Sequence, residues 1–127
     1  MCGISGIFDW NSLKNAEHVA SIMKDAQNHR GPDFSSTYRD ENILLSHNRL
    51  SIIDLDSHSN QPMHSSTGDV VISYNGELYN YLNLKSELEA TYSFKTQSDT
   101  EVIIASYLKW GIRMLDRFEG MFAFALW

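Results

Sequence analysis

The chain has 127 residues, 43% apolar and 20% charged, which suits one soluble domain burying roughly two-thirds of its unfolded surface. Its formal charge is −6 and its ten Lys and Arg residues are scattered, so no basic stripe exists to follow nucleic acid. A single cysteine rules out an internal disulfide. No apolar run nears the ~18 residues of a membrane span and no signal-peptide layout is visible, so the composition predicts a cytoplasmic protein.

In chain order, Ile4 to Phe8 is short, apolar and closed by Asp9 and Asn11, and predicts a strand that pins residue 2 against a sheet. Val19, Ile22, Met23 and Ala26 recur at helical spacing and predict a helix over 15–29, ended by Gly31 and Pro32. Ile43 to Asn48 and Leu50 to Ile53 predict strand or extended segments, and residues 54–69 a polar loop. Val70 to Tyr74 predicts a strand broken at Asn75-Gly76. A short helix over 81–89, an extended piece at 93–96 and a helix over Thr100 to Trp110 follow, the last with Ile103, Ile104, Tyr107 and Leu108 facing inward. Gly120 to Trp127 is apolar on both alternating faces, as in a strand at the middle of a layered core. That segment carries no turn signal, so the chain is expected to be part of a longer protein; left alone, the segment is an edge.

The cysteine stands at position 2, directly after the initiator methionine. A small side chain there is what methionine removal requires, so Cys2 can become an N-terminal nucleophile; the alternative is a buried structural thiol. His58 and His64 have no carboxylate or thiol at ligand spacing, which favours a solvated loop over a metal site. His29 suits a helix C-terminus, and His47 carries no assigned role. No glycine-rich phosphate cradle occurs, so this segment is not expected to bind ATP or another cofactor.

Several segments in one order, MCGISG over 1–6, HRGPD over 29–33, LSHNRLSIIDL over 45–55, QPM over 61–63, YNGELYN over 74–80, SDTEVI over 98–103 and FEGMFAFALW over 118–127, carry a resemblance across the whole chain. It resembles the glutaminase domain of class II glutamine amidotransferases, a branch of the N-terminal-nucleophile hydrolases, and within them the asparagine synthetases. The resemblance implies an α+β fold, the four-layer αββα sandwich, with residues 1–127 as its N-terminal part and the rest of the sandwich beyond Trp127. It further implies an ATP- and magnesium-using synthetase domain in the missing part and L-glutamine as substrate, and it is compatible with a homodimer of the full-length protein.

The same resemblance assigns Cys2 as nucleophile. A free thiol has a pKa of about 8.5 and a free α-amine about 7.7–8.0, so the amine exposed by loss of Met1 can act as general base. Asn75 and Gly76 become the oxyanion site, one side-chain amide beside one backbone N–H, against the alternative of a type I′ hairpin. Arg49 becomes the bidentate clamp for the glutamine α-carboxylate rather than a surface ion pair. Backbone groups of Leu50, Ile52 and Ile53 line the same pocket. Asp99, with Glu77, receives the α-ammonium, although Ser98 to Glu101 also reads as a capping box with Asp99 complementing the helix dipole. Two functions follow: a glutaminase feeding ammonia to aspartate or to another acceptor, and a non-catalytic domain with a structural or interaction role.

Overall fold

The computed structural model describes residues 1–11, 13–50 and 59–127, in which six strands and three helices build an α+β fold. Strands β1 (Gly3–Phe8), β2 (Phe34–Arg39) and β3 (Ile43–Arg49) form one antiparallel sheet in the order β1-β3-β2. Strands β4 (Met63–His64), β5 (Val71–Leu78) and β6 (Gly120–Leu126) form a second, in the order β4-β5-β6. The helices are α1 (Ala16–Gln27), α2 (Tyr81–Leu88) and α3 (Asp99–Trp110).

Every residue of β3 is buried, because both of its faces are covered. Leu44 packs with Leu13, Ala16 and Ala20 at α1, while its neighbours Ile43 and Leu45 meet Val71 of β5. The first sheet therefore has α1 on one face and the second sheet on the other. Across that seam the Ser73 hydroxyl donates to the Ser46 carbonyl at 3.1 Å. The opposite face of the second sheet, through Ile72, Tyr74 and Leu78, packs on α2 and α3 through Leu84, Leu88, Val102 and Ile103. Each fully buried Leu or Ile in this cluster stabilises the fold by roughly 1.5–3 kcal/mol.

Several expectations need correction. Strand β5 does not break at Asn75-Gly76: it runs on to Leu78, paired with β6 through Asn75↔Ala123 and Gly76↔Phe122. The glycine is needed for approach, since a Cβ there would lie 2.6 Å from Phe122 Cα and closer still to the Met121 carbonyl. Gly76→Ala is therefore expected to lower the unfolding free energy by about 1–3 kcal/mol, read as a shifted urea midpoint.

Strand β6 lies at the edge of its sheet among the described residues, as expected for that segment left alone, but its two faces are not equally covered: Phe122, Phe124 and Leu126 pack on the core while Met121 is 69% exposed. Helix α1 buries Ala16 and Ala20 and leaves Val19 and Ile22, two of the four residues that revealed its period, 39% and 56% exposed. In α3, Ile103 and Ile104 are buried as expected, but Leu108 is 46% exposed. The expected loop over 54–69 contains β4, and its first residues fall outside the described ones.

The extended piece at 93–96 joins no sheet because side chains take its backbone groups. The Glu101 carboxylate accepts from the Lys95 and Thr96 N–H groups, and the Lys85 ammonium donates to the Thr96 carbonyl at 3.1 Å. The capping box is thus half-formed: Ser98 Oγ accepts from the Thr100 N–H at 3.2 Å, but Glu101 turns to residues 95–96. Gly111 closes α3 with φ 60 and an N–H bonded to the Tyr107 carbonyl.

Candidate active site

A cleft of about 260 Å³ opens where the start of β1, the end of β3, the middle of β5 and the start of α3 converge. It gathers Cys2, Arg49, Leu50, Asn75, Gly76, Glu77 and Asp99, seven of the residues singled out from sequence; Ile52, Ile53 and His58 lie outside the described residues. A volume near the lower end of ligand pockets suits an amino acid better than a nucleotide.

Register places the cysteine. Because Gly3 pairs with Asn48, the residue before β1 falls beside the residues that end β3. The Leu50 N–H points at Cys2 Sγ at 3.4 Å, with the Leu50 carbonyl 3.8 Å from the same sulfur. Arg30, in the turn after α1, donates from Nε to the Cys2 carbonyl at 3.1 Å and so fixes the backbone that carries the thiol. Met1 lines the cleft too and is 71% exposed. Arg49 is no surface residue: it is only 6% exposed, and its Nη1 donates to Asn60 Oδ1 at 2.6 Å.

The hydrogen-bond alternation of β5 decides what Asn75 and Gly76 can offer. Val71 and Trp127 exchange both backbone bonds at 2.8 Å, and the Tyr79 N–H bonds Glu119 at 2.7 Å. Odd-numbered residues of β5 therefore spend their backbone on β6, and the N–H groups of Tyr74, Gly76 and Leu78 point the other way. On that side β4 covers only Val71 and Ile72. The Tyr74 N–H meets Gln61 Oε1 at 2.6 Å and the Leu78 N–H meets Asp99 Oδ2 at 3.1 Å. Between them lies the N–H of Gly76, in a residue that lines the cleft. Side chains alternate as well: Val71 and Ser73 face the first sheet, so Asn75 and Glu77 share that face. Among the described residues the Asn75 side-chain amide bonds no protein group.

Asp99 opens α3 and is 7% exposed. Its Oδ2 accepts from both the Leu78 N–H and, at 2.7 Å, the Tyr74 hydroxyl. Burial, reinforced by the Asp99 carboxylate, raises the Tyr74 phenol far above its ordinary range, so it remains a donor. Arg30, Gln61 and Tyr74 carry contacts to which sequence reading gave no role. Each lies inside a motif segment, but their partners stand 13 to 39 positions away in other elements, and spacing cannot reveal them.

His47 sits between the sheets, fully buried, with Nε2 3.0 Å from the Tyr74 carbonyl. A carbonyl only accepts, so Nε2 carries the proton and Nδ1 is left buried without a partner among the described residues. Burial, aided by the Arg49 charge and opposed by the bond to Tyr74, lowers its pKa from 6.5 to about 4. Between those values the unfolded chain binds a proton that the folded chain does not, so stability falls as pH drops through that window. Urea denaturation from pH 7 to 4 should show a loss of up to about 3 kcal/mol from this group, absent in His47→Gln.

Comparison with known proteins adds an independent finding. A family model of the glutamine amidotransferase domain matches residues 1–127. The chain is 41% identical over 132 residues to asparagine synthetase B (glutamine-hydrolyzing) of Escherichia coli K12, covering 100% of this chain and 23% of that protein. It is 38% identical to asparagine synthetase (glutamine-hydrolyzing) 1 of Bacillus subtilis 168, covering 100% of this chain and 21% of the relative. It is 39% identical to the asparagine synthetase (glutamine-hydrolyzing) of Zea mays, covering 99% and 21%. The chain thus spans less than a quarter of the length of these relatives.

Proposed function

We infer the function from one premise: the chain belongs to the glutamine amidotransferase domain family. On that premise it is the glutaminase part of a glutamine-hydrolysing, asparagine synthetase type enzyme, and its fold is the N-terminal-nucleophile hydrolase αββα sandwich. The order α1, first sheet, second sheet, α2 with α3 supports the fold reading. The observation that carries the function is the cleft itself, which draws residues from positions 2, 49–50, 75–77 and 99 around one thiol.

In this reading Arg49 pairs with the α-carboxylate of glutamine, Asp99 and Glu77 receive its α-ammonium, and the side-chain amide reaches Cys2. Once Met1 is removed, the α-amine of Cys2 takes the thiol proton and the sulfur attacks the amide carbon. The carbonyl oxygen gains negative charge and is held by the Asn75 amide and the Gly76 N–H. The protonated α-amine passes that proton to the substrate nitrogen, and collapse expels ammonia and leaves a thioester. Water, activated by the same amine, releases glutamate and restores the thiol. The ammonia then amidates an acceptor, aspartate activated by ATP and magnesium, in a synthetase domain outside these 127 residues.

Ammonia and glutamate release from L-glutamine by the purified protein, with an intact-mass measurement of its N-terminus, tests the reading. A folded protein that has lost Met1 and releases no ammonia would overturn it in favour of a non-catalytic role.

A further inference from the structure

We propose that Gln61 is a positioning residue that, together with the direct bonds of Asp99 to Tyr74 and Leu78, sets the separation between the Asn75-Gly76 oxyanion site and the Asp99 clamp, and thereby selects glutamine over the one-carbon-shorter asparagine. The proposal rests on the glutaminase reading and deepens it.

Gln61 occupies a gap in the second sheet. Strand β4 pairs Met63 with Ile72 and His64 with Val71. Continued one way, that register would set Pro62 opposite Ser73 and Gln61 opposite Tyr74. The strand ends at Met63, short of that position. The Gln61 side chain takes over: its Oε1 accepts from the Tyr74 N–H at 2.6 Å, in place of a backbone carbonyl. The other end of the same amide, Nε2, donates to Thr100 Oγ1 at 3.2 Å. Its own main-chain carbonyl accepts from Ser36 Oγ at 2.5 Å, which anchors it to β2.

One rigid, planar amide therefore spans from the residue before Asn75 to the residue after Asp99. It is 7% exposed and lines the cleft, so both of its bonds are shielded from water. Substrate length is measured between these same two points. The reacting carboxamide must meet Asn75 and Gly76 while the ammonium meets Asp99, and glutamine carries two methylenes between its α-carbon and amide where asparagine carries one. A site whose two ends are held at fixed separation discriminates one methylene by roughly 10–200-fold; a site whose ends can drift does not.

Binding constants for glutamine and asparagine, measured by calorimetry in a Cys2→Ala background so that neither is hydrolysed, give the selectivity directly. Adding Gln61→Met, which keeps length and volume but removes both bonds, is expected to shrink the glutamine-to-asparagine preference about 10-fold or more. Thr100→Val breaks only the far bond and leaves the Tyr74 N–H satisfied. It should shrink the preference in the same direction, and the two substitutions together should do no more than Gln61→Met alone, since both break one connection. Should Gln61→Met fail to fold by thermal melting, Thr100→Val decides the matter. An unchanged preference in folded Thr100→Val, or losses that simply add, overturns the proposal. If the wild-type protein releases ammonia from glutamine and the preference nevertheless stays put, Gln61 alone is misassigned; if the wild-type protein releases no ammonia from glutamine, the glutaminase reading falls with it.

Discussion

Cys2→Ala is expected to abolish ammonia release from glutamine, lowering kcat by at least about 10⁴-fold, while glutamine still binds. The separation of the two effects follows from where the groups sit. The proposed binding groups, Arg49 and Asp99, are held by Asn60 and by Tyr74 and Leu78, none of which hydrogen-bonds the sulfur. The alanine variant keeps the bond from Arg30 to the backbone carbonyl of residue 2 and the β1 register, so the N-terminus stays in place. What disappears is the atom that forms the thioester, and no other side chain lining the cleft is a thiol. Among the described residues Sγ bonds Leu50 alone, at the rim, so its removal disturbs the structure little. Ammonia assay and isothermal titration on one preparation check both halves. Turnover within 100-fold of wild type would remove Cys2 from the chemistry, and an absence of binding would show that the thiol shapes the pocket instead.

How much of this was legible before the structure depends on whether a residue's role is local. Helix α3 was readable because Ser98 caps it and its apolar period is regular. Strand β1 was readable because an apolar run stops at Asp9. The seven described site residues were picked by resemblance, and they do meet in one cleft, yet no spacing in the chain could have brought position 2 beside position 50. Where a residue's partner is remote, local reading went astray. Asn75-Gly76 looked like a strand break because glycine usually marks one, whereas here it admits a close β6 backbone within a continuing strand. Glu101 looked like half of a capping box, but Lys95 and Thr96 offer it more donors. Two of the four residues that revealed the period of α1, Val19 and Ile22, are left exposed, because the sheet approaches the helix on the side of Ala16 and Ala20. Gln61 and Tyr74 stayed silent for a related reason: a glutamine replacing a missing strand partner is visible only once the strand has been seen to end.

Asn75→Ala should lower kcat about 10²–10³-fold with KM for glutamine nearly unchanged and little loss of stability. Structure and chemistry pull apart at this position. The backbone of Asn75 belongs to the β6 ladder, and alanine keeps those bonds. Its side chain is partly exposed, faces the thiol side of β5 and bonds no protein group among the described residues, so truncation orphans no buried partner. A residue of that kind ordinarily shifts stability by no more than about 0.5 kcal/mol. In the proposed mechanism the amide matters only when a carbonyl oxygen becomes an oxyanion: a neutral ground-state carbonyl draws weakly on the donor and the charged intermediate strongly, so the loss is expected on kcat. The Gly76 N–H remains to hold the charge alone, so activity falls without vanishing, in contrast to Cys2→Ala. Steady-state kinetics together with a thermal melt distinguish the cases. A kcat within tenfold of wild type, or a rise in KM as large as the fall in kcat, would place the Asn75 amide outside the oxyanion site and leave the Gly76 N–H without its companion donor.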